Sequence, residues 1–167
     1  MKMEAVNQMD REAFVSAFGF VFEHSPWVAE RAWARRPFAS PYLLHRAMAD
    51  AVAAAETGEQ LALLRAHPDL GSKARMSAAS EGEQAGAGLD RLTPAEFEHL
   101  RHLNDAYRAK FGFPFIYAVR NSGKQQILEA LENRLAGTAE AERVTALEQV
   151  NRIAQFRLEN LFSCTDS

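Results

Sequence analysis

Apolar residues recur along most of this chain at spacings of three and four, the period of an amphipathic helix. Phe14, Phe18, Val21 and Phe22 imply a short first helix or turn closing on a core. Ser25-Pro26 then reads as a cap followed by proline at the first helical position, with Trp27 and Trp33 as apolar anchors and Pro37 as the stop. Ser40-Pro41 repeats that start signal ahead of the stripe Leu43, Leu44, Ala47, Met48 and Ala51. Gly58 punctuates, and Leu61 and Leu64 belong to a short helix running into His67. Between residues 68 and 92, four glycines (71, 82, 86 and 88) allow helical pieces but argue against long regular structure.

The clearest start is Thr93-Pro94-Ala95-Glu96, a capping box with proline at its first helical position. Its stripe is Phe97, Leu100, Leu103, Tyr107 and Phe111, closed by Gly112 as a left-handed cap. FPFIYAV follows, the one stretch with real β-propensity and too short for a sheet. A helix carrying Ile127, Leu128, Leu131 and Leu135 ends at Gly137. A last one spans about 139 to 162, with Val144, Leu147, Val150, Ala154, Leu158 and Leu161 facing in. The pattern predicts an all-α, single compact domain over residues 1–167, with roughly six to eight helices.

Composition narrows the function classes more than it identifies one. With 167 residues, 47% of them hydrophobic, the chain is long enough for one good core. A net charge of -3 gives no general attraction to nucleic acid or anionic lipid, and no basic recognition helix stands out. The single cysteine, Cys164, rules out an internal disulfide and suits a reducing compartment. With no apolar leader at the N-terminus, no membrane-length apolar run and a TDS terminus that is no peroxisomal address, the expectation is a cytoplasmic protein.

Against this regular background, unusual residues cluster in three segments that the pattern assigns to loops: AHPDLGSKA, the Ser80 to Gln84 region, and KFGFPFIYAVR. Loops bearing ionisable and aromatic residues on a rigid scaffold are where chemistry concentrates. His67 stands at a helix end, and Pro68 stiffens the turn that holds its imidazole. Histidine is the usual proton-transfer group near neutral pH, although a lone histidine is more often a surface or satisfied core residue. Glu83 and Gln84 offer a carboxylate beside an amide, suited to urea-like N–H and C=O groups or simply to a solvated loop. Arg157 falls on or beside the apolar stripe of the last helix, four residues after Ile153 and three after Ala154. A buried arginine keeps its charge and needs a partner, either a structural ion pair or an anionic ligand.

Other features recede. The glycines at 82, 86 and 88 lack the strand and spacing of a nucleotide loop. His99 and His102 have no HExxH pattern or nearby cysteine around them, which argues against a metal site. His45 reads as solvent-facing, and His24 as shaping a helix entry.

Taken together, FEHSPW, AHPDLGSKA, Ser80-x-x-Glu83-Gln84 with AGL, and LNxxYxxKFGFPFI resemble the 2-oxo-4-hydroxy-4-carboxy-5-ureidoimidazoline (OHCU) decarboxylase family over nearly the whole chain. The resemblance implies an all-helical fold, a homodimer, no metal or organic cofactor, and stereospecific formation of (S)-allantoin in urate catabolism. It implies catalytic roles for His67, Glu83 and Arg157. Substrate contacts would fall on Pro68, Ser80, Gln84 and the backbone of Phe115, Ile116, Tyr117, Ala118 and Val119. Tyr117 stands where a smaller or aliphatic residue is expected. A ring hydrolase using the same His–Glu–Arg set and a non-catalytic helical interaction module are the competing classes. Release of CO2 separates the first, and tolerance of alanine at these polar positions separates the second.

Overall fold

The structure, a computed structural model, describes residues 1–72 and 76–163, so Cys164 and Lys73 of the AHPDLGSKA stretch lie outside the described residues. Among the described residues there are nine helices and no strand: α1 Met3–Gln8, α2 Arg11–Phe18, α3 Trp27–Trp33, α4 Pro41–Ala53, α5 Thr57–Arg65, α6 Ala78–Gly86, α7 Pro94–Phe111, α8 Lys124–Leu135 and α9 Ala139–Ser163. The all-α class stands, and the helix number exceeds the expected six to eight. One source of the excess is at the start of the chain. Asp10 accepts a hydrogen bond from the Ala13 N–H at 2.8 Å and caps α2 as a helix separate from α1. No helix among the described residues is long and apolar enough to cross a membrane.

The chain forms two compact units, one of Met1–Ala66 with the segment from Asn151 onward, the other of His67–Val150. In the first, Phe14, Phe18, Phe22, Val28, Leu44, Met48, Leu63 and Leu64 are buried. Phe14 packs on Phe18 with ring centroids 4.8 Å apart. Ser25 does not cap α3. Its hydroxyl donates to the Glu23 carbonyl at 2.9 Å instead, and Pro26 takes the cap position. The tryptophans are edge residues rather than core anchors: Val28, Ala29 and Ala32 fill the interior, while guanidinium groups cover the Trp27 and Trp33 rings (Arg31 and Arg36, at 4.5 and 4.1 Å). On α4 the buried stripe is Leu44, Ala47, Met48 and Val52, one position round from the expected Leu43 and Ala51. Gly58 lies in the first turn of α5, because Glu56 and Glu59 form a capping box around it.

The second unit realises the clearest sequence signals. Thr93 and Glu96 close their reciprocal capping box at 3.2 and 3.0 Å, and Gly112 ends α7 with φ 80°. Leu100, Leu103, Tyr107 and Phe111 are buried as the stripe requires, with Asn104 between them and Phe97 only half-buried. α9 contributes Glu142, Ala146 and Val150 to the buried residues of this unit and Ala154, Arg157 and Leu158 to those of the first, whereas Val144 is 56% exposed. The stripe therefore passes through two charged residues, which is why reading apolar residues alone places its start on the wrong face.

Candidate active site

His67 lies just beyond α5 and is 7% exposed. The residues after it are held by side chains from two helices. Arg108 donates to Asp69 at 2.7 Å, Asn104 Nδ2 donates to the Leu70 carbonyl at 2.9 Å, and the Gly71 N–H donates to Gln84 Oε1 at 2.8 Å. Glycine is required at 71: its φ is +72°, and a Cβ there would meet Leu100 Cδ2 at 2.5 Å. The stiffness expected from Pro68 is thus reinforced by contacts that no local motif announces.

Ser80, Glu83 and Gln84 do not lie in a loop. They sit on α6 at offsets of three and four, so they share one helix face; Ser80 and Gln84 are buried and Glu83 is half-buried. Ser77 starts this helix by accepting from the Ser80 N–H at 3.2 Å. A Schellman motif ends it: Leu89 N–H bonds to the Gln84 carbonyl at 3.0 Å, and Gly88 N–H, with φ 84°, to Ala85 at 3.0 Å. The AGL stretch is therefore the helix stop, tied back to the Gln84 carbonyl. The obligatory donor at Gly71 fixes which way the Gln84 amide points, leaving the NH2 end as the part that a ligand would meet.

Phe115 to Val119 run without regular secondary structure between α7 and α8, and all but Tyr117 are buried. Two of their peptide groups are bonded by side chains: Arg134 Nη1 donates to the Ile116 carbonyl at 2.6 Å, and Gln149 Oε1 accepts from the Ala118 N–H at 2.9 Å. The Val119 carbonyl accepts from Ser122 at 3.0 Å. The N–H and C=O of Phe115 and Tyr117 meet no hydrogen-bond partner among the described residues. Buried peptide groups without partners are rare, so this segment is suited to a polar ligand.

Arg134 is itself held from both sides. Its Nε donates to Glu142 Oε1 at 2.8 Å, its guanidinium lies 4.6 Å from the Phe115 ring centre, and Tyr107 donates to the same Glu142 oxygen at 2.6 Å. Burial, and then the hydrogen bond to Glu142, push the Tyr107 hydroxyl well above its usual range. Because the folded state holds this proton more tightly than the unfolded chain, Tyr107 contributes stability below the ordinary tyrosine pKa of about 10. That contribution declines at higher pH. Urea midpoints measured from pH 8 to 11 should fall above about pH 10, and the fall should be smaller in Tyr107→Phe.

Arg157 belongs to the other unit, where its Nη2 donates to Glu23 Oε2 at 2.8 Å and its Nη1 to the Phe20 carbonyl at 3.0 Å. It is 4% exposed and Glu23 1%. The ion-pair alternative for a buried arginine is thus realised. Its acidic partner comes from FEHSPW, where His24 adopts φ 45° and is itself exposed, in keeping with a role in shaping the turn. His45 is half-buried rather than solvent-facing, with Nε2 2.8 Å from the Asn151 carbonyl oxygen. Glu23 and Asn104 lie within the FEHSPW and LNxxY motifs but carried no assigned role, and sequence reasoning missed Arg134, Glu142 and Gln149. Tyr107 offered a signal, since a tyrosine on a core stripe needs a partner for its hydroxyl. Among the described residues no group of three or more His, Cys, Asp or Glu could hold a metal ion.

Comparison with known proteins gives one consistent result. The family model for OHCU decarboxylase matches residues 7–159. A 2-oxo-4-hydroxy-4-carboxy-5-ureidoimidazoline decarboxylase of Halalkalicoccus jeotgali is 51% identical over 96% of this chain and 92% of its own length. The uric acid degradation bifunctional protein of Bacillus subtilis is 45% identical over 96% of this chain, which spans 33% of that longer protein. Among solved structures, a crystal structure of (S)-allantoin synthase superposes with a TM-score of 0.77 at 35% identity, covering 96% of this chain and 54% of that one.

Proposed function

The chain belongs to the OHCU decarboxylase family and is a carboxy-lyase, and on that premise we propose that it forms (S)-allantoin from OHCU in urate degradation. The reading includes a cytoplasmic homodimer, one functional domain over residues 1–167, and catalysis without a cofactor. What carries it is that the family match spans every residue assigned a role, with the unpartnered peptide groups of buried Phe115 and half-buried Tyr117 as its structural support.

The substrate explains why no electron-sink cofactor is needed. Its C4 carries a hydroxyl and a carboxylate, and the adjacent C5=N bond accepts electrons. When the bond from C4 to the carboxylate breaks, its electron pair forms C4=C5, and the former imine pair moves to nitrogen, which takes a proton. The resulting enol then takes a proton at C5 on one face while the C4 hydroxyl releases one, giving CO2 and allantoin of a single hand. His67 is the residue we assign to this proton transfer, on the turn stiffened by Pro68, Asn104 and Gln84. Glu83 accepts from ureido or ring N–H groups. Gln84, with its oxygen engaged by Gly71, donates to a carbonyl oxygen, and Ser80 lies on the same helix face. Arg157, oriented by Glu23, stabilises developing negative charge on substrate oxygen.

Carbon balance tests the reaction class. With OHCU generated from carboxylate-labelled precursor, one equivalent of labelled CO2 per allantoin, released faster than in buffer, is expected. Consumption of OHCU with the label retained in a ring-opened acid would assign the protein to hydrolysis instead.

A further inference from the structure

The segment Phe115–Val119 is held at two points that bracket a single residue. A trans peptide unit is planar, so its C=O and the following N–H point in opposite directions. Fixing the Ile116 carbonyl on Arg134 therefore aims the Tyr117 N–H away from Arg134. Fixing the Ala118 N–H on Gln149 likewise aims the Tyr117 carbonyl away from Gln149. The Tyr117 N–H and C=O are the groups between these clamps, and they have no hydrogen-bond partner among the described residues.

We propose that Arg134 and Gln149 are positioning residues that set the Tyr117 N–H and C=O as a donor–acceptor pair for an amide edge of the substrate ring. The proposal rests on the decarboxylase reading above and extends it to residues that touch the backbone rather than the substrate. Three helices supply the clamp: Tyr107 from α7, Arg134 from the last turn of α8, and Glu142 and Gln149 from α9. Glu142 and Gln149 are seven residues apart, close to two turns, and so lie on one face of α9. The Arg134 side chain is 14% exposed and that of Glu142 6%, so the pair is shielded from the water that would loosen a surface ion pair. The Phe115 ring beneath the guanidinium and the Tyr107 hydroxyl at 3.4 Å from Nη2 further restrict its plane. A planar fork held this way fixes direction as well as distance, which a lysine ammonium would not do. A ring read by a fixed donor and acceptor presents one face of C5 to the proton donor, so the clamp bears on product handedness as well as rate.

The experiment measures kcat, KM and the enantiomeric excess of allantoin for wild type, Arg134→Met, Arg134→Lys, Gln149→Leu and Gln149→Glu, with folding checked by thermal unfolding. Displacement of a bound reactant by about an ångström lowers rates on the order of 100-fold. Arg134→Met and Gln149→Leu should therefore lose between about 10- and 100-fold in kcat/KM, with reduced enantiomeric excess. Gln149→Glu, which keeps the acceptor, should stay near wild type, and Arg134→Lys should fall between. If Arg134→Met does not fold, the Gln149 pair decides alone. Folded Gln149→Leu with wild-type kinetics and handedness overturns the proposal while leaving the decarboxylase reading intact. Wild-type protein no faster than buffer overturns that reading, and this inference with it.

Discussion

Replacing His67 by asparagine should lower kcat for (S)-allantoin formation by about 10²- to 10⁴-fold, the range contributed by a positioned general acid or base, while leaving the fold in place. Asparagine retains polar groups of similar reach but does not exchange protons near neutral pH. The clamp on the turn, from Asn104 to Leu70 and from Gln84 to Gly71, does not involve the imidazole. The residual reaction should lose handedness, because C5 would then be protonated from solvent on either face. Steady-state rates with chiral analysis of the product check both parts. A folded His67→Asn protein that turns over at the wild-type rate removes His67 from the mechanism.

Arg157→Met should damage stability and activity together, and the two effects can be separated. Removing the guanidinium takes away the cation that donates to Oε2 of the Glu23 carboxylate, which is 1% exposed. Breaking a buried ion pair from one side costs about 3–5 kcal/mol, which for a chain of this size lowers Tm by on the order of 10 °C. Adding Glu23→Gln removes the stranded charge, so the double variant should recover a large part of that loss. Activity should not return with it, since the charge on the substrate would still lack its partner. Recovery of both stability and turnover in the double variant would restrict Arg157 to the ion pair.

The contrast between these two residues shows what the sequence revealed and why. Arg157 was legible because a charge at offsets of three and four from apolar residues stands out in a helical period. Its partner was not, because Glu23 lies in an irregular turn that periodicity does not describe, 134 positions away. Capping chemistry was legible at Thr93 with Glu96, at Ser40 ahead of Pro41, and at Gly112. It misled at Ser25, whose hydroxyl turns back to Glu23, and at Gly58, which a neighbouring acidic pair absorbs into α5. The glycines among residues 78–86 left room only for a helical piece within loop, and Ser77 and the Schellman stop at Gly88 hold that piece as α6. For the site, the motif positions were visible while the groups that aim them were not. Asn104, Arg134 and Gln149 act on backbone carbonyl and amide groups far away in sequence, and backbone groups leave no trace in residue identity.

Stereospecific decarboxylation with proton transfer by His67 has a direct optical signature. The most direct measurement follows circular dichroism at an allantoin-sensitive wavelength while OHCU is generated in situ from urate, with wild-type protein, His67→Ala and buffer run side by side. Rapid growth of an optically active signal with wild type alone is expected. A wild-type trace that stays racemic and as slow as buffer would contradict it.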